Sequence, residues 1–315
     1  MAKKLVVIIP TSGRPELLSR TLESLDKCIK PDNFCETIVV ENGIKAGTDA
    51  VVRSFHSSSL NVRYLYSSNA NKSAALNLAI DPIMESLIFF TDDDVRFHPE
   101  ILIKYSVSAD GIDKGIFFGG PIEPDYEQEP DEWLKKYLPN SVLGFRIDKK
   151  TSKVESPIFS GCNWAAFSND IIRAGGFSPN FGPGSKTNST GQETEMQRRL
   201  LENGVKGLFI PEALVWHFVP KERCSVDWAL KRNYRYFTGQ AQKSQPWKQP
   251  IKSFLWTIKP FFTFFYPSIL FSALSKNKEK KFRAKYQLYA GCGKIKGTWI
   301  AWKNHLGKII FNLKQ

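Results

Sequence analysis

Four short apolar runs, Leu5-Val6-Val7-Ile8-Ile9, Thr37-Ile38-Val39-Val40, Val62-Arg63-Tyr64-Leu65-Tyr66 and Leu87-Ile88-Phe89-Phe90, punctuate the first hundred residues, with helical periodicity between them. Apolar, β-branched runs of this length suit strands buried on both faces. Strands that alternate with helices pair in parallel, so this region predicts an α/β fold on a parallel sheet flanked by helices. Pro10 stops the first run, and Pro15 opens a helix in which Leu18, Leu22 and Leu25 share a face. Another helix is clearest over 73–80. Later strands are predicted at Ile116-Phe117-Phe118, Pro157-Ile158-Phe159, Leu208-Phe209-Ile210 and Leu214-Val215-Trp216, with a helix over 193–203 closed by Gly204. The Gly- and Ser-rich stretch 181–191 predicts a movable loop, a lid.

A chain of 315 residues with 42% hydrophobic content buries a sufficient core without a disulfide or zinc staple. Its five cysteines are scattered, with no C-x-x-C pair, and no apolar leader follows Lys3-Lys4. Both features predict a reducing, cytoplasmic setting.

Charge divides the chain. Residues 1–220 carry 24 Lys and Arg against 28 Asp and Glu, whereas 221–315 carry 20 against 3. This predicts a catalytic domain over 1–220 and a basic, aromatic, mainly helical region over 221–315. The abundance of Trp, Tyr and Phe among the C-terminal lysines fits an anionic membrane surface, and not nucleic acid, as the partner. Ser225 caps a helix with Val226, Leu230, Tyr234, Phe237 and Ala241 on one face. The apolar stretch 254–274 is interrupted by Lys259, Pro260 and Pro267, so a kinked interfacial hairpin is expected there and a spanning helix is not.

Asp92-Asp93-Asp94 follows the strand Leu87-Ile88-Phe89-Phe90 directly. Three carboxylates at the carboxyl edge of a parallel sheet stand where open α/β folds bind ligands, and such crowding is costly unless a cation offsets it. Oxygen donors select hard Mn2+ or Mg2+, with substrate phosphate oxygens completing the coordination. An acidic turn capping the next helix is the plainer alternative.

Val6-Val7-Ile8-Ile9-Pro10-Thr11, Val39-Val40-Glu41-Asn42-Gly43, Asn69-x-x-Lys72-Ser73-x-x-x-Asn77 and Phe90-Thr91-Asp92-Asp93-Asp94 stand in the order seen in family 2 glycosyltransferases. The chain resembles that family from about residue 4 to 220. The resemblance implies the A-type nucleotide-diphospho-sugar transferase (GT-A) fold, an α/β architecture on a Rossmann-like mixed, mainly parallel sheet flanked by helices. It places Pro10, Thr11, Arg14, Glu41, Asn69 and Lys72 at the nucleotide and diphosphate, Asp92 on the ribose or sugar side with Asp93 in support, and Asp94 on the metal. Gly175-Gly176-Phe177 and the run from Gly191 to Met196 resemble later family motifs. They imply Glu193 as catalytic base, with Glu195 as fallback; Gln192 departs from the acidic residue usual there. The dipole at a helix start also keeps an acid ionised.

His217 stands where many members complete the metal site. By the same resemblance, Asn163 and Trp164 face the acceptor, with core packing the rival for Trp164, and Arg232 and Arg235 grip an acceptor diphosphate or anionic lipid. His56, His98 and His305 carry no such context. The implied activity is an inverting transfer from a UDP-sugar to a glycan or lipid-linked acceptor at the inner face of the cell membrane, in surface polysaccharide or lipopolysaccharide assembly. The rivals are a nucleotidyltransferase, a polyprenyl-phosphate sugar transferase and a non-catalytic glycan- or nucleic-acid-binding protein.

Overall fold

The computed structural model describes residues 3–147, 150–185, 191–243, 246–264 and 275–312. They divide into two units, one drawn from 1–125 and 143–218, the other from 126–142 and 219–315.

In the first unit, β1 (Lys4–Thr11) pairs in parallel with β2 (Phe34–Asn42) on one side and β4 (Ser86–Phe90) on the other, and β3 (Val62–Ser67) lies beyond β2. Past β4 come β9 (Trp164–Phe167), antiparallel to both neighbours, then β6 (Ile116–Gly119), β10 (Lys206–Phe209) parallel to it, and β8 (Ser152–Val154) antiparallel at the edge. The expected mixed, mainly parallel sheet is present, with eight strands. A smaller sheet has the order β5 (Val95–Phe97), β11 (Val215–Val219), β7 (Ile122–Tyr126).

Successive β1 side chains alternate between two core layers. Leu5, Val7 and Ile9 meet Leu18, Leu22 and Leu25 of α1 (Pro15–Asp26) and Leu102 and Tyr105 of α4 (Ile101–Ser108). Val6 and Ile8 meet Ala75, Leu76 and Ala79 of α3 (Lys72–Ile80) and Met196 and Leu200 of α8 (Gln192–Glu202). Full burial of each such Leu, Ile or Val contributes about 1.5–3 kcal/mol, enough for the alternation to set the register. The short helices α2 (Thr48–Ser54), α5 (Glu132–Lys135), α6 (Asn140–Leu143) and α7 (Ser168–Arg173) complete the connections up to α8. The chain runs from β1 outward to β2 and β3 and then returns to β4 on the other side, leaving a crevice at the carboxyl ends of β1 and β4.

The strand expected at Pro157-Ile158-Phe159 is not formed. The Gln197 side chain takes both backbone groups of Phe159, accepting from its N–H at 3.0 Å and donating to its C=O at 2.9 Å, so the segment is pinned to α8 and the strand forms at β9.

The second unit contains α9 (Val226–Lys243), α10 (Pro250–Phe264) and α11 (Lys278–Asn312). Ser225 caps α9, its Oγ accepting from the Trp228 N–H at 3.2 Å. Gly293 and Gly297 let α11 approach α9 closely: a Cβ there would stand 2.4 Å from the Tyr234 carbonyl oxygen and 2.2 Å from that of Thr238. Beside the C-terminal residues, this unit takes in 126–142. Trp133 and Tyr137 pack edge-on against Phe282, with ring centroids 5.3 and 4.9 Å apart. Helix α10 runs through Pro260, where a break was expected. Proline lacks the N–H that would bond to the Trp256 carbonyl, and Lys294 Nζ reaches that carbonyl instead at 3.4 Å. The rest of the expected hairpin, 265–274 with Pro267, lies outside the described residues.

Candidate active site

At the end of β1 the chain turns through Gly13, whose φ of +66° suits glycine, and Arg14 enters α1. Thr11 Oγ1 donates to Asp93 Oδ2 at 2.6 Å. The Arg14 guanidinium spans two carboxylates, donating through Nε to Asp93 Oδ2 at 3.1 Å, through Nη2 to Asp93 Oδ1, and through Nη1 to Asp94 Oδ2 at 2.9 Å. Burial and the neighbouring Asp94 and Asp92 push the buried Asp93 carboxyl up to about 6, against the pull of Arg14 and Thr11. Lys72, in the first turn of α3, meets Asp92 Oδ1 at 2.5 Å. Burial raises Asp92, but Lys72, His217 and Arg14 outweigh it and hold the carboxyl below its ordinary range.

Asp94 has a different environment. It is 7% exposed, its Oδ1 has no hydrogen-bond partner, and His217 Nε2 lies 3.5 Å from that oxygen. The small sheet brings the two together, with His217 opposite Val95 in the β5–β11 ladder and the Phe218 N–H donating to the Asp94 carbonyl at 2.8 Å. An orphaned, buried carboxylate oxygen facing an imidazole nitrogen fits a divalent cation, which both atoms can ligate. Among the described residues no group of three or more His, Cys, Asp or Glu could hold a metal ion, so the two would share it with substrate oxygens or water.

Glu193 occupies the first turn of α8, after Gly191 with φ +94°. A Cβ built on Gly161 would stand 3.6 Å from Glu193 Oε2 and 3.7 Å from Lys72 Nζ, so the two head groups converge over this glycine's backbone. Burial raises the Glu193 carboxyl above its ordinary value, and Lys72 partly opposes the rise.

The loop before α8 is seated on α3. Asn71 Nδ2 donates to the Pro179 carbonyl at 2.9 Å and Ser73 Oγ to that of Phe181 at 2.8 Å, while Asn77 both donates to and accepts from the Phe177 backbone at 2.8 and 2.7 Å. Residues 186–190 of the expected lid lie outside the described residues. Gln192, the departure from the family pattern, is 4% exposed and packs against Gly182.

The family model described as Glycosyl transferase family 2 matches residues 6–173, just over half of the chain. The chain belongs to glycosyl transferase family 2. Glycosyltransferase AglE of Haloferax volcanii is 28% identical over 123 residues, which are 38% of this chain and 40% of that protein's length. Among solved structures, the mannosyltransferase PcManGT of Pyrobaculum calidifontis, in complex with GDP-Man and Mn2+, superposes with TM-score 0.59 at 18% identity, covering 95% of this chain and 88% of that one. GalNAc-T7 with UDP, GalNAc and Mn2+ superposes with TM-score 0.56 at 12% identity, covering 77% and 51%. The fold is of the GT-A type.

Several residues to which the family resemblance gave binding roles have their polar atoms engaged within the fold. Glu41 is fully buried: Oε1 accepts from the Ala46 N–H at 2.9 Å and Thr48 Oγ1 at 2.6 Å, and Oε2 from the Tyr64 hydroxyl at 2.5 Å. It braces the turn after β2. Burial raises its carboxyl, but Thr48, Tyr64 and the Ala46 N–H outweigh this and hold it below the ordinary range. Glu41→Ala would orphan three donors and lower stability by about 2–4 kcal/mol, seen as a fall in Tm at neutral pH. The sign with pH follows from the depressed value: Glu41 stabilises the fold above the unfolded-state pKa, and this is lost as pH falls through the folded-state one. The Tm difference between wild type and variant therefore narrows in acid.

Asn163 and Trp164 are also core residues. Asn163 Nδ2 donates to the Pro121 and Ala213 carbonyls at 2.9 and 2.8 Å, and Oδ1 accepts from the Tyr105 hydroxyl at 2.7 Å. Trp164, 1% exposed, stacks on Phe90 at 4.7 Å. Glu195, the fallback base, is engaged at 2.8 and 2.7 Å by Arg199, which also donates to the carbonyls of Ala174 and Gly176.

Pro10 is buried in β1 and Asn69 is exposed in the loop before α3. Arg232 and Arg235 lie on α9 in the second unit, Arg235 exposed and Arg232 half-buried, where burial and the Arg235 charge disfavour its guanidinium charge. Gln197 and Arg199, which anchor the segments around Glu193, escaped sequence reasoning. Their one signal is polarity at helix positions that turn inward.

Proposed function

We propose that this family 2 member transfers a sugar, with inversion, from a nucleotide-diphospho-sugar, a UDP-sugar, to a hydroxyl of a glycan or lipid-linked saccharide in surface polysaccharide assembly. The observation that carries the reading is the convergence at one sheet edge of Glu193, Lys72 and Asp92 with the orphaned Asp94 Oδ1 and His217 Nε2. Glu193, raised by burial yet kept ionisable by Lys72, accepts the proton of the acceptor hydroxyl. The freed oxygen attacks the anomeric carbon from the face opposite the diphosphate. As the new bond forms, the bond to the diphosphate breaks, and its electron pair leaves on the phosphate oxygen. Lys72 and Arg14 put two cations beside that developing charge.

Mn2+ or Mg2+ held by Asp94 and His217 would supply Lewis acidity toward the departing diphosphate. The nucleotide and Mn2+ named for PcManGT and GalNAc-T7 support the donor class and the cation. A base at Glu193 favours a hydroxyl acceptor over a lipid phosphate, which would need none. The turn Thr11-Ser12-Gly13-Arg14 lacks the glycine-rich phosphate loop of a nucleotidyltransferase. The basic, aromatic 221–315 region supports work at the cytoplasmic face of the cell membrane.

A thermal-shift panel of UDP, GDP, CDP and dTDP, each with and without Mn2+, tests the donor. A ligand that binds only the native state raises Tm. A Mn2+-dependent shift with UDP is expected. A shift confined to GDP would change the base, and no shift with any nucleotide would overturn the donor reading.

A further inference from the structure

Helix α10 is inside out. Its packed side is polar and aromatic: Thr257 Oγ1 lies 3.2 Å from Thr298 Oγ1 of α11, and Lys294 Nζ stands 4.1 Å from the Trp256 ring centroid. Its outward side carries Ile251, Phe254 and Leu255, which are 77, 62 and 56% exposed and stand at i, i+3 and i+4. Exposed Lys252 borders this stripe. A helix packed on a soluble core turns the opposite way, apolar face inward.

Helix α11 repeats the pattern independently. Ile295, Trp299 and Leu306, 47, 63 and 50% exposed, recur at spacings of four and seven on one face. Lys296 and Lys303 are exposed along its border, with Lys303 Nζ 5.5 Å from the Trp299 ring centroid. No helix among the described residues is long and apolar enough to cross a membrane.

We infer that the outward faces of α10 and α11 insert into the surface of an anionic phospholipid bilayer. An occupant must cover apolar side chains and neutralise the lysines at their border. Acyl chains beneath phosphate headgroups do both, since lysine stems lie along apolar surface while their ammonium groups reach the phosphates, and tryptophan favours that boundary. The 20 Lys and Arg against 3 Asp and Glu in 221–315 draw the helices to negative lipid and repel a second copy. Nucleic acid would satisfy the lysines but leave Ile251, Phe254 and Leu255 in water. This deepens the membrane location proposed above and rests on it, without depending on the donor chemistry.

The test is cosedimentation of the full chain with vesicles of phosphatidylcholine alone or mixed with phosphatidylglycerol. The wild type should sediment with the anionic vesicles at low salt and not with the zwitterionic ones. Phe254→Glu with Leu255→Glu, and separately Trp299→Glu, should each lower the bound fraction's partition by roughly tenfold or more. Because these side chains are exposed, Tm should stay unchanged. Three results would overturn the inference: no wild-type binding, undiminished binding by both variants, or a dimer in sedimentation velocity that the variants dissolve. The Mn2+-dependent nucleotide shift, read on the same samples, separates the two proposals, since its absence indicts the donor site alone.

Discussion

Glu193→Gln should lower turnover by roughly 10² or more while leaving Mn2+-dependent nucleotide binding nearly intact. The substitution keeps the shape and removes the proton acceptor. It also removes a negative charge from beside Lys72, which still has Asp92 at 2.5 Å, so Lys72 should hold its place. The pH profile supplies a second readout. Burial raises the Glu193 carboxyl above its ordinary value, and only its ionised form accepts a proton, so wild-type turnover should fall as pH drops through that raised value. The Gln variant should lack this acid limb. Unchanged turnover would remove Glu193 from the chemistry, and the structure has no replacement in Glu195, whose carboxylate is bound to Arg199.

Asp94→Ala should abolish the Mn2+-dependent part of nucleotide binding and lower turnover by roughly 10³ or more, through the loss of charge stabilisation at the departing diphosphate. Without metal, the same variant should unfold close to the wild-type Tm. The change removes a buried oxygen with no partner and relieves the repulsion between Asp94 and Asp93; this offsets the loss of the Arg14 Nη1 bond to Asp94 Oδ2, and Arg14 retains both of its bonds to Asp93. A merely structural Asp94 predicts the opposite pair, a lower metal-free Tm with the metal response preserved. Calorimetry of the metal-free protein and the same thermal-shift panel with Mn2+ decide between them. Retention of the full Mn2+-dependent shift would take Asp94 out of the metal site.

Much of this arrangement is legible in the chain itself, for local reasons. Val6 to Ile9 and Leu87 to Phe90 are too apolar to lie anywhere but inside, so Thr11 and the three aspartates that follow must emerge together at a sheet edge. Glu193 is singled out by resemblance to a family motif, and only its place at a helix start after Gly191 is local. The Ser225 cap and the opening of α1 by Pro15 are equally local.

What the sequence leaves open falls where the decision depends on partners distant in sequence. Glu41 looks like a strand-end acid open to ligand, yet Thr48 and Tyr64 consume it. Asn163 looks like a sugar binder, yet the carbonyls of Pro121 and Ala213 and the hydroxyl of Tyr105 leave it no open valence. Pro260 looks like a helix breaker until Lys294, from another helix, reaches the carbonyl it strands.

Residue types and spacing alone thus determined the parallel strands β1 to β4, the edge at which the three aspartates emerge and the sign of charge along the chain, because burial periodicity and strand length act over a few residues, whereas β8 and β9 were set by long-range pairing. Only the tertiary structure decided which of the carboxylates are satisfied and which is left with an oxygen facing His217. Hydrogen-bond partners come from strand register and helix packing across the whole fold, and two acids identical in type then differ in what they can still bind.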